Sequence, residues 1–493
     1  MSPLTSEQVA TAVSKNPLKK IVGRVVKCVY DSKTGNTIAI IKTPDGKLIQ
    51  KKFAGNHDLT NAVIYYDVVE KAYRFSYTKD ARDSVDMSKV TRQRVGIVTG
   101  STSVHEFQFR ASEKVYELDF VITVAGDKFA LSQIVEIQQI GDTRIAKCNV
   151  LQHIDRNGRL MFPREPITPR APVYKASEYD LRKFFESKRG LYIGQLYGTT
   201  TRVFIDQKQL IVGGLAIFGV RRSGKSYATG VIIEELVDNG FPVLAIDPHG
   251  EYIFKYPNDV DEELRLMKRY GLKPKGYDSK NKVYALDPSV TEADAYIDVD
   301  DLMSVEFYKK NIRPGRITTI VTKGTDMETA INAVYAITKY SFELRKKRAI
   351  PPYFLAIDEV HNFAPQQLQG YPKEVKMSRT QIATVASEGG KFGVGFVVIT
   401  QRPAHVSKSV VGPLQNFMVT RVQMKNDREF IKQSVPGAAE YMHIIERLPV
   451  GKAYIAGITR FPALVSIRVR RSKHFGASVD VDKMLYETPL GGG

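Results

Sequence analysis

Short segments in which apolar and polar residues alternate fill the chain from about residue 19 to residue 150. They include IVGRVVKCVY, NTIAIIKT and YELDFVITV, and turn sequences such as TPDGK and AGDK separate them. Alternation with a period of two residues predicts half-buried β-strands joined by tight turns. Because no helical pattern interrupts these strands, residues 19–150 are predicted to form a small β-barrel or a sandwich.

The pattern changes after the Pro-rich sequence FPREPITPRAPVY, and residues 151–174 are predicted to be an inter-domain linker. Beyond it, near-continuous apolar runs such as GGLAIF, PVLAID, YFLAID and GVGFVVIT alternate with helical patterns. Such runs are typical of parallel strands that are covered on both faces. Residues 175–471 are therefore predicted to form an α/β domain, with a mostly helical insertion at about 257–310. Residues 1–18 and 472–493 are predicted to be a flexible N-terminus and a C-terminal arm.

The charge of the chain narrows the class of its partner. Lysine and arginine number 72 against 53 acidic residues, which gives a formal net charge of +19 at pH 7. This balance favours a polyanionic partner, nucleic acid before a membrane surface, although a charge that serves only solubility is the alternative. The chain has neither a run of about 20 apolar residues nor the apolar centre of a signal peptide. A cytoplasmic protein without a membrane span is expected. The two cysteines form no CxxC pair, which argues against a disulfide framework and a zinc site.

The sequence GVRRSGKSY lies between an apolar run and an amphipathic helical pattern. Its glycines, lysine and serine fit G-x-x-x-x-G-K-[ST], a phosphate-binding loop pattern. Backbone N–H groups of such a loop enclose phosphate oxygens, the lysine contacts the β and γ phosphates, and the serine hydroxyl binds Mg²⁺. The sequence therefore predicts a site for ATP with Mg²⁺. The predicted nucleotide-binding residues are Gly219, Val220, Arg221, Arg222, Ser223, Gly224, Lys225, Ser226 and Tyr227.

Adjacent carboxylates end the apolar run YFLAIDE. Asp358 is predicted to bind Mg²⁺ together with Ser226, and Glu359 is predicted to polarise the attacking water. An adjacent glutamate favours hydrolysis over phosphoryl transfer to a small acceptor. The predicted enzyme is therefore an ATPase and not a kinase, with Lys225 and Glu359 as catalytic residues.

Two further strand ends supply candidate active-site residues. Gln401 follows GVGFVVIT and is predicted to be a third catalytic residue, which senses the γ-phosphate. Asp247 ends PVLAID, and His249 and Glu251 lie in the loop beyond it. Because ligands bind at the carboxyl ends of strands in α/β sheets, these three residues are predicted neighbours of the active site. Metal binding by His249 and local hydrogen bonding within its loop are both open.

Together these segments resemble the HerA family of DNA translocases, within the larger HerA–FtsK group. The segments that carry the resemblance are GVRRSGKSY, LAIDPHGEY, FLAIDEVHNFAP, ASEGGKFGVGFVVITQRPA and GKAYIAG. The resemblance implies an α/β fold with a RecA-like P-loop ATPase core and a helical insertion, preceded by a small N-terminal β-barrel of the HAS-barrel type. Length and basicity look like those of the archaeal members. Position by position, the resemblance implies the same roles for Lys225, Ser226, Asp358, Glu359 and Gln401.

The resemblance also implies a function. Family members are ATP-driven double-stranded DNA translocases or helicases that form homo-hexameric rings around duplex DNA. They act in DNA end resection for double-strand break repair, with a NurA nuclease docked on the N-terminal barrel and with Mre11–Rad50. Two alternatives stay open: a nucleotide-gated DNA clamp or nuclease-recruitment platform with little translocation, and a pump ATPase of the secretion or conjugation type.

One position departs from the family pattern, because Gly390 stands where relatives commonly have an arginine before the lysine of KFG. That arginine is suited to act as a finger on the nucleotide of a neighbouring subunit, and its source here is open. The candidates for such a finger are Arg144, Arg379, Lys391 and Arg402. A translocase must grip phosphates without sequence preference. The candidate DNA contacts are Lys373, Lys376 and Lys408, in GYPKEVKMSR and RPAHVSKS.

Overall fold

The computed structural model describes residues 19–475 with gaps at 32–33, 44, 55–62, 68–71, 77–83, 86–91, 127, 156–159 and 188–189. The chain divides into two compact units, Met1–Leu181 and Arg182–Gly493. The predicted flexible N-terminus, residues 1–18, lies outside the described residues, as do residues 476–493 of the predicted C-terminal arm. Within the described ranges, no helix is both long and apolar enough to cross a membrane.

An antiparallel sheet forms the first part of the N-terminal unit. Among the described residues, six strands pair in the order β3-β2-β1-β4-β5-β6. Along β2, Thr37, Ala39 and Ile41 are buried while the residues between them are partly exposed. This is the alternation predicted from the sequence. The strands are β1 (Lys19–Asp31), β2 (Asn36–Lys42), β3 (Leu48–Ala54), β4 (Val63–Asp67), β5 (Ala72–Ser76) and β6 (Ser84–Val85).

A closed β-barrel forms the second part of this unit. The strands of the described chain pair in the order β10-β9-β13-β7-β8-β11, and pairing of β10 with β11 closes the ring, while β12 extends β11. Apolar side chains fill the interior, among them Phe109, Ile134 and Cys148. The strands are β7 (Arg94–Thr102), β8 (Glu106–Ala111), β9 (Phe120–Ala125), β10 (Lys128–Ile140), β11 (Thr143–Ile154), β12 (Leu160–Met161) and β13 (Pro172–Lys175).

The barrel extends beyond the boundary expected from the sequence. Residues 19–150 form one sheet and most of the barrel, and the segment 151–174 contributes β12 and the start of β13. Pro172 is tolerated because it is the first residue of its strand, and its carbonyl accepts a hydrogen bond of 3.0 Å from Thr123 Oγ1. A Pro-rich composition hid this strand from pattern-based prediction.

A mixed sheet forms the centre of the C-terminal unit. In the described part of the chain its order is β15-β14-β25-β24-β23-β16-β22-β21-β17-β20-β18-β19. Pairing from β23 to β19 is parallel, and pairing on the other side of β23 is antiparallel. The strands are β14 (Leu191–Leu196), β15 (Arg202–Ile205), β16 (Leu215–Phe218), β17 (Val243–Asp247), β18 (Asn281–Ala285), β19 (Ala295–Tyr296), β20 (Ile317–Val321), β21 (Tyr353–Ile357), β22 (Val394–Thr400), β23 (Phe417–Val419), β24 (Lys452–Ala456) and β25 (Ala463–Ile467).

Helices connect these strands, as expected for an α/β domain. Every residue of β16, β17, β21 and β22 is buried, which matches the continuous apolar runs of the sequence. The predicted helical insertion holds α4 and α5 but also β18 and β19, so it extends the sheet. The helices are α1 (Glu178–Phe185), α2 (Gln207–Gly213), α3 (Lys225–Asp238), α4 (Asp261–Tyr270), α5 (Val305–Asn311), α6 (Met327–Lys346), α7 (Lys373–Phe392), α8 (Lys408–Val411), α9 (Lys425–Ser434) and α10 (Ala438–Ile445).

The residues after β25 lie against α3 and form a buried ionic network with it. Arg468 contacts Glu234 at 3.1 Å and Glu235 at 3.0 Å, and Arg470 contacts Glu234 at 3.6 Å. Ser472 Oγ donates to Glu234 Oε1 at 2.7 Å. Both arginines are fully buried. Because a buried charge without a partner is strongly destabilising, these contacts fix the C-terminal segment on α3.

Gly230 of α3 gives a first prediction, for the substitution Gly230→Ala. A Cβ there would lie 2.7 Å from Arg470 Cζ, and Arg470 has no free space because its guanidinium also contacts Ser472 and the ring of Phe254. Overpacking costs about 1–3 kcal/mol, whereas alanine in a helix gains only about 0.5–1 kcal/mol over glycine. The thermal unfolding midpoint is expected to fall.

Ser387→Ala, at an exposed position of α7, is the control, and its midpoint is expected to stay near that of the parent. A Gly230→Ala protein that unfolds at the same temperature as the parent, or higher, would show that Arg470 is not fixed as described.

Candidate active site

Four neighbouring parallel strands bring the predicted residues to one edge of the sheet. The order β16-β22-β21-β17 places side by side the ends of strands that are far apart in the sequence. The predicted phosphate loop follows β16, Gln401 follows β22, the adjacent carboxylates follow β21, and Asp247 ends β17. Since the strands are parallel, all four carboxyl ends face the same way.

The predicted phosphate loop is a tight turn between β16 and α3. Arg222 and Gly224 have left-handed backbone angles, with φ of 59° and 92°, and Gly224 caps α3. Ser223 Oγ contacts Val220 O at 2.6 Å and Thr420 Oγ1 at 2.7 Å. Left-handed residues within a turn orient successive N–H groups toward a common centre, as an anion-binding loop requires.

Thr420 explains the first glycine of the loop. A Cβ at Gly219 would lie 1.8 Å from Thr420 Oγ1, so only glycine fits against this hydroxyl. Thr420 directly follows β23 and donates to Phe218 O at 3.1 Å. Thr420 therefore fixes the phosphate loop from the neighbouring strand. The sequence analysis did not predict this role, although the polar residue at the end of the apolar run NFMVT could have indicated it.

Lys225 is the first residue of α3 and is only 7% exposed. Its Nζ lies 3.5 Å from Val220 O, so the ammonium group is folded back over the loop. A cleft of about 630 Å³ opens here, lined by Arg222 to Tyr227 and also by Val450, Lys452 and His474. The loop thus faces a space that the C-terminal segment helps to enclose.

Asp358 lies just beyond β21 and is almost fully buried. Its Oδ2 accepts from Tyr252 OH at 2.9 Å, and its Oδ1 accepts from the Glu359 backbone N at 2.8 Å. Burial, with the nearby charges of Glu359 and Asp247, raises the pKa of Asp358 to about 7, although Lys225 opposes the rise. A cation at this carboxylate would favour its ionised form.

The oxygen ligands at this edge fit magnesium. The Asp358 carboxylate and the Ser226 hydroxyl are hard oxygen donors, and Mg²⁺ at phosphate loops is held by few protein groups plus phosphate oxygens. Within the described residues, no three His, Cys, Asp or Glu side chains cluster as metal ligands.

Glu359 is buried and has three neighbouring polar groups. Its Oε2 accepts from the Gln401 backbone N at 3.3 Å and lies 3.2 Å from His361 Nδ1, while its Oε1 lies 3.9 Å from His249 Nε2. Burial opposes ionisation, but the contacts with His249 and His361 outweigh it and hold the pKa of Glu359 well below its usual range. The same carboxylate raises the pKa of His249. Glu359 is therefore an ionised carboxylate, as a general base must be.

Asp247 shapes a loop instead of facing the cleft. It is fully buried, its Oδ1 accepts from the backbone N of His249 at 3.1 Å, and its Oδ2 accepts from that of Tyr252 at 2.7 Å. Burial raises the pKa of Asp247. The loop it holds places His249 at Glu359 and Tyr252 at Asp358, while Glu251 lines the cleft. Tyr252 and His361 were both missed by sequence reasoning, although both lie within the quoted motifs.

The predicted finger residues lie on different elements of the chain. Arg144 is on barrel strand β11 of the N-terminal unit. Arg379, in α7, donates from Nη1 to Gln366 O at 3.2 Å. Lys391 in the last turn of α7 and Arg402 after β22 are exposed. Which of the four acts as a finger stays open.

Gly390 has a physical reason to be glycine. A Cβ there would lie 2.7 Å from Val212 O and 2.9 Å from Ile211 O, in the backbone of α2. An arginine at this position would collide with α2, so α7 and α2 can approach this closely only in the absence of a side chain.

The predicted DNA contacts fall on two segments that contact each other. Gln366 N donates to His405 O at 2.7 Å, and Lys408 N donates to Gln366 Oε1 at 2.8 Å. Segments 365–379 and 402–408 thus form one region, here called the basic surface. Its exposed cations are Lys373, Lys376, Arg402 and Lys408.

Comparison with known proteins places this site in a family. Residues 191–388 match the family described as "Helicase HerA, central domain". The DNA double-strand break repair helicase HerA of Pyrococcus furiosus is 23% identical over 511 residues, which cover 80% of this chain and 90% of that protein. The protein of the same name from Saccharolobus solfataricus is 22% identical over 409 residues, which cover 68% of this chain and 80% of that protein. Residues 191–388 thus form a domain of the HerA helicase type.

The predicted resemblance to the HerA family is confirmed, and the chain is a P-loop ATPase of the helicase class. Among solved structures, VirB4 of Thermoanaerobacter pseudethanolicus is similar with a TM-score of 0.38 and 11% identity, covering 57% of this chain and 97% of that chain.

Proposed function

We propose that this HerA-family ATPase is a translocase on double-stranded DNA that works as a homo-hexamer in DNA end resection. Its partners are a nuclease of the NurA class, docked on the N-terminal unit, and Mre11–Rad50. The main support for the proposal is that the active site and the basic surface are joined by one continuous loop. The loop that begins at Gln401, in contact with Glu359, runs directly into the basic surface.

The chain's own groups account for hydrolysis. Backbone N–H groups of the phosphate loop and the Lys225 ammonium bind the triphosphate, and the general base Glu359 takes a proton from the attacking water. Water oxygen then bonds to the γ-phosphorus as the bond to the ADP oxygen breaks. Ser226 and Asp358 would hold Mg²⁺, which would supply positive charge that neutralises the phosphate oxygens.

Coupling to DNA follows from the position of the basic surface. Exposed lysine and arginine side chains bind phosphates without reading bases, which suits a motor that must move over any sequence. Two relatives named as double-strand break repair helicases support the repair role.

Duplex DNA is expected to raise the ATPase rate, and the effect is expected to fade as salt rises. The double variant Lys373→Ala/Lys376→Ala loses two phosphate contacts, so the slope of log K for DNA against log salt is expected to become shallower by about 2. Fluorescence anisotropy with a labelled duplex measures the slope.

Lys346→Ala/Lys347→Ala, at the exposed end of α6, is the matched control because it removes the same charge away from the basic surface. Equal loss of slope in the two double variants would remove the basic surface from the proposal.

Translocation itself is tested by ATP-dependent displacement of a third strand from duplex DNA. Displacement that requires hydrolysis supports a motor, whereas ATP-dependent retention on DNA without displacement indicates a clamp. Mass photometry of the full chain with duplex DNA and a non-hydrolysable nucleotide tests the assembly. A six-subunit mass that increases when a NurA-class nuclease is added is expected, and a persistent monomer would contradict the ring.

A further inference from the structure

His361 lies between the ends of two strands at the active site. It is in the short helical turn Val360–Asn362 that follows β21. Its Nδ1 lies 3.2 Å from Glu359 Oε2 and 3.0 Å from Oγ1 of Thr400, the last residue of β22. Since its side chain is only 12% exposed, the ring has little freedom to leave this position.

Two oxygens lie within reach of the same ring nitrogen. A ring that carries its proton on Nδ1 offers one N–H to both Glu359 Oε2 and Thr400 Oγ1. Thr400 Oγ1 accepts the Arg402 backbone N–H at 2.9 Å, and this bond fixes the hydroxyl that flanks the ring. The single Nδ1–H of His361 is thus shared between Thr400 Oγ1 at the end of β22 and Glu359 Oε2.

The two oxygens of Glu359 are not equivalent. Oε2 accepts a hydrogen bond from the Gln401 backbone N at 3.3 Å and also lies 3.2 Å from His361 Nδ1. Oε1 lies 3.9 Å from His249 Nε2, which is too long for a hydrogen bond. A carboxylate held through one oxygen presents the other in a defined direction.

The backbone at Glu359 makes such support necessary. Glu359 has a left-handed φ of 47°, which is unfavourable for a residue with a side chain. A strained residue keeps its conformation only where its surroundings determine it. The contacts from β22 supply that restraint.

We propose that His361 is a positioning residue for ATP hydrolysis: it holds Glu359 through Oε2 so that Oε1 accepts the proton of the attacking water. The inference rests on the proposed role of Glu359 as the general base. His361 itself does not touch the nucleotide in this scheme and acts through Glu359.

Paired substitutions test the role of one nitrogen atom. The side-chain amide introduced by His361→Asn places an N–H near the position of Nδ1, whereas the longer amide introduced by His361→Gln places its N–H near the position of Nε2. We expect His361→Gln to lower kcat by about 10²-fold, the cost of misplacing a reacting group by about 1 Å, with KM for ATP unchanged. His361→Asn is expected to keep kcat within about threefold of the parent, since it restores the donor.

Thr400→Val removes the second anchor of the ring while keeping the shape of the side chain. It is expected to lower kcat by about tenfold, between the two His361 variants, because Glu359 keeps its donors but the ring loses one restraint. All variants are compared by steady-state ATPase kinetics and by thermal unfolding, so that loss of fold is separated from loss of positioning.

Two results would overturn the inference: equal kcat in His361→Asn and His361→Gln, or a rise in KM with kcat unchanged. Failure of the proposed function is recognised separately, by normal turnover in Glu359→Gln. If Glu359→Gln is inactive while His361→Gln turns over at the parental rate, only the positioning role is lost.

Discussion

Replacing Lys225 by alanine is expected to lower ATP turnover by about 10³-fold, which corresponds to the loss of one preorganised charged donor at the reacting phosphate. Lys225 is buried and its Nζ lies 3.5 Å from Val220 O, so its ammonium is already placed over the loop before nucleotide binds. The truncated side chain leaves the backbone N–H groups in place but removes the charge. Steady-state ATPase assays measure turnover, and calorimetric titration with Mg-ATP measures the accompanying loss of affinity.

Lys208→Ala is the control for this substitution, because Lys208 is an exposed lysine of α2. Its turnover is expected to equal that of the parent. If the Lys225→Ala protein hydrolysed ATP within a fewfold of the parental rate, with its fold intact by circular dichroism, the phosphate loop would not be the site of hydrolysis.

Glu359→Gln is expected to separate binding from hydrolysis. The substitution keeps the size of the side chain but removes the carboxylate that accepts the proton, so turnover is expected to fall by about 10²–10⁴-fold. Affinity for Mg-ATP should be retained, since Lys225, Ser226 and Asp358 are unchanged. Calorimetric titration and a single-turnover assay on the same preparation measure the two quantities.

Glu328→Gln, in the exposed first turn of α6, is the matched control for loss of one carboxylate. Asp358→Asn gives the opposite pattern, because it removes the magnesium ligand and therefore weakens nucleotide binding. Parental turnover in Glu359→Gln would mean that another group activates the water.

The central sheet and its catalytic edge follow closely from hydrophobic pattern. The runs that became β16, β17, β21 and β22 are continuous because these strands are buried on both faces. β17 and β22 end in polar residues, β21 is followed by Asp358, and β16 leads into the phosphate loop, all at the same edge. Long-range contacts could not be predicted in this way. Ser223 and Thr420 are 197 residues apart, and a threonine after an apolar run is an ordinary strand residue by composition.

The other differences between the predicted and the observed fold also arise from contacts between residues that are far apart in the sequence. β13 begins at a proline, which signals a break in the chain unless its partner strand is known. Arg468 and Arg470 lie in the sequence RVRR, which is typical of a solvated basic segment. Only the buried carboxylates of α3, more than two-thirds of the C-terminal unit away in sequence, show that these arginines belong to the interior.

Arg468 and Arg470 are synthesised long after their partners in α3, and this order affects folding during translation. Glu234 is synthesised 234 residues before Arg468. While the ribosome is still translating the intervening segment, the helix behind the phosphate loop carries carboxylates that have no permanent counter-ions, and it cannot settle against its final neighbours. The final packing of this helix therefore requires that Arg468 and Arg470 have already been synthesised.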